Sequence, residues 1–257
     1  MLDYPQFKKL VSELTGVDLS NYKSQQMDRR INYLKQLWNL ETYDDYLQVL
    51  KTDPYKFELF VNRLTINVSE FYRNPERYAE LHQYVLPELL RKSERLKIWS
   101  AGCSNGAEPY SVAIIANELR ARERVQIIAT DIDKEILKRA REGVYTYNDL
   151  KNLPPEFIRK YFNCQNDLYY FHEDLKKIVE FRFQDLLLDE FETNWDLIIC
   201  RNVVIYFTEE AKKKLYKRFN NSLKPGGYLL VGGTEPILDY RNYHFTNPFN
   251  CIYQKLE

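Results

Sequence analysis

Metal-binding and disulfide-forming residues are scarce in this chain. Its four cysteines, at 103, 164, 200 and 251, are scattered without a C-x-x-C pair, and only three histidines accompany them. That excludes a disulfide framework and offers no zinc-ligand spacing, so no metal is expected. An excess of one charge is also missing: 37 Lys and Arg face 37 Asp and Glu, interspersed rather than in blocks. A nucleic-acid enzyme of this size would carry a basic excess, because phosphate contacts dominate such affinities; no nucleic-acid partner is expected. No apolar run reaches membrane-spanning length, and the N-terminus lacks a signal-peptide pattern. A soluble, reduced, cytoplasmic protein without membrane insertion is expected, as a monomer. At 257 residues it can bury a substantial core and hold one large unit plus a smaller one.

Glycine is sparse too, with eight in the chain, and two of them mark its most informative stretch. Leu96-Lys-Ile-Trp99 reads as a strand leading into Ser100-Ala-Gly-Cys-Ser-Asn-Gly-Ala-Glu-Pro-Tyr110. Val112, Ile115, Ala116 and Leu119 then recur at helical spacing. Gly102 and Gly106 let the backbone turn sharply and approach a ligand. Pro109 is tolerated only in a first helical turn, so the helix starts near Asn105, with Ser104 or Asn105 as its cap. Strand, glycine turn and helix N-terminus form the ligand-binding corner of a doubly wound sheet. Asp131 closes the next strand, Val125–Thr130, where a carboxylate can accept both hydroxyls of a ribose.

Other readings of this corner exist. The dinucleotide pattern G-x-G-x-x-G fails at Ser104, and no Gly-Lys-Ser/Thr of a P-loop is present. Gly102-Cys-Ser104-Asn-Gly106 is, however, a literal G-x-S-x-G nucleophile elbow, with Asp196 and His244 following in hydrolase order. Against a Ser104 hydrolase, everything before Leu96 reads helical and no HGGG-like segment supplies an oxyanion hole.

Residues 1–75 read as a helical N-terminal domain, with Met27, Ile31, Leu34 and Trp38 as one apolar stripe and Lys23 and Arg30 along its edge. A helical linker follows at 76–93. From 94 to 257 strands alternate with helices: 96–100, 125–130, 194–200 and 228–232, then a pair near 243–255. The fold class is α/β: a doubly wound, Rossmann-like, mostly parallel sheet with an antiparallel C-terminal hairpin. A small β-subdomain is inserted at about 161–183, where Leu168–Phe171 and Ile178–Phe183 flank a charged tip.

Three further segments carry polar chemistry. Asn67-Val-Ser-Glu-Phe-Tyr-Arg73 is dense in hydrogen-bonding groups; it is also what a capped loop between helices looks like. Asp196–Cys200 is a buried strand from whose carboxyl end Arg201 and Asn202 project, where open α/β sheets place ligands. Tyr206 follows, and could equally be an aromatic packed under a loop. Asp185 could reach an adenine amino group or serve as a turn aspartate.

Together these segments resemble a known family, the S-adenosylmethionine-dependent methyltransferases that esterify glutamates on chemotaxis receptors (the CheR family). The resemblance rests on LTINVSEFYRN, IWSAGCSNGAEPYS, ATDIDKEIL, CRNVVIYF and LKPGGYLLVGGTE, in the family's order and across nearly the whole chain. It implies that S-adenosylmethionine is the cofactor and S-adenosylhomocysteine the product. It implies that Asn67, Ser69 and Arg73 line the cofactor site, that Gly102 and Glu108 hold the methionine end, and that Asp131 holds the ribose. Asp185 with Leu186, and Cys200 with Arg201, would surround the adenine and sulfur side. Arg73 and Tyr206 would face the transferred methyl as the catalytic pair. The partner implied is the cytoplasmic helical domain of methyl-accepting chemotaxis receptors. Ala107 departs from an often acidic position, with Glu108 retained. The β excursion lacks the glycine-bearing turn of members that grip a receptor's C-terminal pentapeptide, so that tether is not expected.

A glutamate carboxyl titrates near ~4.3, so the nucleophile is ionised at neutral pH and no general base is needed. Alignment is the remaining task. Arg73 is expected to orient the substrate carboxylate and Tyr206 to position its oxygen or the methyl. On the basic helix from Lys23 to Trp38, Arg29 and Arg30 are expected to dock the acidic receptor. Loss of Arg73 or Tyr206 would have pointed to a sensor that binds the cofactor without transfer; both are present. Asn202-Val-Val-Ile-Tyr206 loosely resembles the Asn-Pro-Pro-Tyr loop of DNA amino-methyltransferases, without its prolines.

Overall fold

The computed structural model describes residues 1–65 and 69–256, and the chain divides into two compact units. The first comprises Met1–Asn67 and Tyr206–Lys212. Its helices are α1 (Tyr4–Thr15), α2 (Ser24–Leu37), α3 (Tyr43–Thr52) and α4 (Pro54–Thr65). Their limits follow from local chemistry. Asp3 with Gln6, and Thr42 with Asp45, form capping boxes that satisfy backbone N–H groups at the starts of α1 and α3. Gly16, at φ 74°, closes α1 in the left-handed conformation. The expected α2 stripe is buried at Met27, Ile31 and Leu34, as are Phe7, Tyr46, Leu50 and Phe60 of the same unit. Residues 206–208 pair with 21–23 in this unit: Lys23 N–H donates to the Tyr206 carbonyl and Thr208 N–H to the Asn21 carbonyl, each at 2.8 Å.

The second unit comprises Val68–Ile205 and Lys213–Glu257. It opens with α5 (Pro75–Glu80), a wide π turn over Leu81–Val85, and α6 (Leu86–Lys92). Pro87 cannot donate the next helical hydrogen bond, which accounts for the widened turn before it. The segment 76–93, expected as a linker, places Tyr78, Leu81, Val85, Leu86 and Leu89 in the core of this unit.

β1 (Leu96–Ala101), α7 (Ala107–Glu118), β2 (Val125–Asp131) and α8 (Lys134–Glu142) follow, then β3 (Val144–Tyr145), α9 (Tyr147–Leu150), α10 (Pro155–Tyr161), β4 (Phe162–Gln165), β5 (Leu168–Phe171), α11 (Glu173–Lys176) and β6 (Val179–Phe183). β7 (Trp195–Cys200), α12 (Glu209–Ser222), β8 (Leu223–Val231), β9 (Phe245–Phe249) and β10 (Ile252–Lys255) complete the chain. The main sheet runs β6-β2-β1-β7-β8-β10-β9, parallel from β6 to β8 and antiparallel through β10 and β9. This is the expected doubly wound, mostly parallel sheet with an antiparallel C-terminal pair. Strand order reverses between β1 and β7, which is where such sheets open a crevice for ligands.

One expectation needs correction. Val179–Phe183 does not belong to the β excursion: as β6 it pairs in parallel with β2, Ile127 opposite Val179 and Asp131 opposite Phe183. The small sheet is instead β3-β5-β4, recruiting Val144–Tyr145 and Phe162–Gln165 around Leu168–Phe171. Helix α7 buries Val112, Ile115 and Ala116 of the expected helical pattern, and with them every residue from Ala107 to Ala116. Ala107, Ser111, Ala113 and Ala116 are the small residues among them.

Candidate functional site

The site begins where β1 ends. Gly102 has φ 81° and Gly106 φ 85°, a region costly to side-chain-bearing residues. A Cβ on Gly102 would collide with the Val203 side chain, so the first turn and the loop after β7 fit only with glycine there. The Asn105 side chain caps α7 by accepting the Ala107 N–H at 3.1 Å. Its amide donates to the Ser69 carbonyl at 3.3 Å, and its own carbonyl accepts from the Tyr145 hydroxyl at 2.9 Å.

Residues 69–74 are thereby fastened beside this corner, which the sequence could equally have read as a plain capped loop. Phe71 packs edge-on against Tyr145 and Phe162 at 4.8 and 5.2 Å, contacts each worth about 0.5–1.5 kcal/mol beyond area burial. Tyr72 N–H donates to Ser111 Oγ at 3.1 Å. Arg201, from the carboxyl end of β7, donates from Nη2 to the Arg73 carbonyl and to Asn74 Oδ1, both at 2.7 Å. Its Nη1 lies 3.7 Å from Glu108 Oε2, while Glu108 Oε1 accepts from Ser100 Oγ at 2.7 Å. Both charged groups are buried, at 6% exposure each. Burial raises the Glu108 carboxyl above its ordinary range, and Arg201 opposes that shift. Ser69, Arg73, Gly102, Glu108, Cys200 and Arg201 thus gather where β1 and β7 end. Asn67 lies outside the described residues.

Asp131 closes β2 as expected. Its Oδ2 accepts the Ser104 N–H at 2.8 Å and its Oδ1 the Asp133 N–H at 3.0 Å. Burial pushes its carboxyl up to about 6, against those two hydrogen bonds. Asp185 follows β6 and turns back on itself, with Oδ1 accepting the Leu187 N–H at 2.7 Å. Leu186 is buried, and its carbonyl accepts from Arg218 Nη1 at 2.6 Å. Arg218 also lies over the Phe191 ring at 3.8 Å, stapling the Asp185 loop to α12; nothing in the sequence pattern marked it. Burial holds the Cys200 thiol well above its usual range, so it is a neutral wall of the site. A cavity of about 250 Å³ lies among Trp99, Ile128, Thr130, Phe183, Gln184 and Trp195, and includes none of the expected cofactor residues.

Tyr206 belongs to the first unit and Arg73 to the second. Within the first unit the Arg30 guanidinium lies over the Tyr206 ring, 4.7 Å from its centroid, and Arg30 Nη1 donates to the Leu64 carbonyl at 2.7 Å. Arg30 is half-buried and engaged, whereas Arg29 is exposed. The two arginines expected to dock a partner therefore differ in what they can offer.

The hydrolase reading fails on geometry. Asp196 stands at the amino end of β7, the opposite end of the sheet from Ser104, and is held by the Lys97 N–H at 2.8 Å and Lys224 Nζ at 2.8 and 2.9 Å. His244 is exposed at the end of the turn before β9, and Ser104 Oγ is buried without a hydrogen-bond partner among the described residues.

That hydroxyl has a counterpart in Arg201 Nε, also buried and without a partner among the described residues. An unsatisfied buried polar group costs roughly 1–3 kcal/mol, so both are suited to a polar ligand at the crevice. With a carboxylate at the end of β2 and glycine-lined backbone beside it, the residues present fit a nucleoside carrying a zwitterionic amino-acid end.

Comparison with known proteins agrees. Residues 2–65 match the CheR methyltransferase all-alpha domain, and residues 67–250 match the CheR methyltransferase SAM binding domain. The chemotaxis protein methyltransferase of Listeria innocua is 39% identical over 254 residues, covering 98% of this chain and 97% of that one. Its counterpart in Borreliella burgdorferi is 34% identical, covering 93% and 90%. That of Escherichia coli is 31% identical, covering 90% and 83%. With both family domains matched in order along nearly its whole length, this chain belongs to the CheR family of S-adenosylmethionine-dependent methyltransferases.

Proposed function

We propose that this protein transfers a methyl group to glutamate side chains on the cytoplasmic helical domain of chemotaxis receptors, forming methyl esters. The observation that carries the reading is the corner at β1, β2 and β7, where Asp131, Glu108 and Arg201 surround glycine-lined backbone. S-adenosylmethionine, when bound, supplies an electrophilic methyl on a sulfonium. Asp131 would accept the ribose hydroxyls, Gly102 and Glu108 would hold the methionine end, and Asp185, Leu186, Cys200 and Arg201 would border the adenine and sulfur side. Asn67 and Ser69 would complete that lining.

The chain's own groups have no proton to move, because a glutamate titrating near ~4.3 arrives ionised. Arg73 would pair with the substrate carboxylate to orient it. Too tight a pairing would stabilise the ground state, so its contribution is direction more than affinity. Tyr206 would position the attacking oxygen or the methyl group. Arg29 and Arg30 lie on α2, and docking of an acidic receptor helix would rest chiefly on exposed Arg29. The test is mass spectrometry of receptor recovered after incubation with enzyme and cofactor. Methyl groups on glutamate side chains are expected; methylation confined to other residue types would overturn the reading.

A further inference from the structure

Ser111 lies fully buried inside α7, and no step described so far uses it. Its hydroxyl donates to the Ala107 carbonyl at 2.7 Å and accepts the Tyr72 N–H at 3.1 Å, so a helix-interior serine also holds a separate piece of chain. That piece is strained. Tyr72 has φ 51° and Asn74 φ 62°, and residues held in this left-handed region persist only where their surroundings fix them. Arg73 stands between the two. On its other side Arg201 Nη2 donates to the Arg73 carbonyl and to Asn74 Oδ1. The two anchors meet at Tyr78: its hydroxyl accepts from Arg201 Nη1 at 3.3 Å and interacts with Ser111, and its ring stacks on Tyr72 at 4.8 Å. Every one of these residues belongs to the second unit.

The segment has separate anchors upstream. Ser69 is tied through its carbonyl to the Asn105 amide, and Phe71 N–H donates to the Asp149 carbonyl at 2.9 Å. Losing the Ser111 contact would therefore release residues 72–74 while leaving Ser69 in place beside the glycine corner. Burial raises the Glu108 carboxyl, and Arg73 joins Arg201 in opposing that rise, so the Arg73 charge is felt at the same corner. We infer that Ser111 is a positioning residue for methyl transfer, fixing the strained turn 72–74 that presents Arg73 to the substrate carboxylate. The inference rests on the orienting role proposed for Arg73.

Ser111→Ala removes the acceptor of the Tyr72 N–H and nothing that lines the site. A displacement of about 1 Å at a reacting group can cost on the order of 10²-fold, so kcat for receptor methylation should fall by at least about tenfold. Affinity for S-adenosylhomocysteine should stay within about threefold, a split that general loosening of the fold would not produce. Ser111→Cys keeps the side chain's reach but offers only a weak acceptor; it should show the same split, and serves if the alanine variant does not fold. Arg73→Ala, expected to be slow, supplies the decisive background: adding Ser111→Ala to it should lower kcat little further. If Arg73→Ala is slow but both Ser111 variants turn over normally, or if the two losses multiply fully, Ser111 is merely structural. A loss of cofactor affinity as large as the loss of kcat would overturn the inference as well. Full turnover by Arg73→Ala would defeat the arginine's role, and wild-type protein that methylates no receptor the proposed function; either takes the inference with it.

Discussion

Arg30 stacks its guanidinium on the ring of Tyr206, 4.7 Å from the centroid, while bonding the Leu64 carbonyl at the end of α4. An arginine so engaged is a support for the tyrosine. Arg30→Ala is therefore expected to lower kcat, with receptor KM little changed; the stacking is worth about 0.5–2 kcal/mol. Arg29→Glu should do the reverse, raising receptor KM at low salt, with the effect fading as ionic strength shortens the Debye length toward ~8 Å. Steady-state kinetics on the two single variants separate the roles, and matching profiles would contradict the division.

With Asp131 holding the ribose as proposed, cofactor affinity should depend on pH. An ionised carboxylate is the better acceptor for the ribose hydroxyls, and burial moves this carboxyl up to about 6. Affinity for S-adenosylhomocysteine should therefore weaken as pH falls through that value. The folding contribution has the opposite sign: a raised acid favours the protonated fold, giving stability present at low pH and lost as pH rises through about 6. Calorimetry between pH 5 and 8 checks the first statement. Asp131→Ala should weaken binding by ~1–3 kcal/mol and abolish that pH dependence.

Removing Arg201 leaves Glu108 buried without its counter-charge. Breaking a buried pair from either side costs roughly 3–5 kcal/mol, so Arg201→Ala and Glu108→Gln should each unfold markedly earlier than the unsubstituted protein in thermal denaturation. Melting temperatures unchanged in both variants would show that the pair is not a source of stability.

Gly102→Ala combines a left-handed backbone with a collision at Val203. The double variant Gly102→Ala/Val203→Ala should regain part of the lost stability, leaving a backbone cost of about 1 kcal/mol. Denaturant unfolding of the two proteins checks this, and no recovery would mean the collision is unimportant.

The parts of this fold legible in the sequence are those coded locally. Gly102, Gly106 and Pro109 announce their turn and helix start, and the apolar run 195–200 announces a buried strand. What stayed hidden depends on pairing across the chain. The alternation in Val179–Phe183 says strand, yet gives no information about its partner, and only the pairing with β2 places it in the main sheet. The Arg218–Leu186 bond and the Arg30–Tyr206 stack join residues 32 and 176 positions apart, and each consists of a common residue type without a local signature. The ligand corner was visible because glycine conformation and strand-end carboxylates are written into neighbouring residues.

The central claim is that this chain moves the methyl of S-adenosylmethionine onto receptor carboxylates. Its most direct measurement uses the methyl-labelled cofactor, purified protein and receptor-rich membranes, followed by mild alkali. Label should appear in the receptor and be released by alkali as volatile methanol, as expected of a methyl ester, and Tyr206→Phe should slow its incorporation. Receptor that stays unlabelled, or label that survives alkali, would contradict the account.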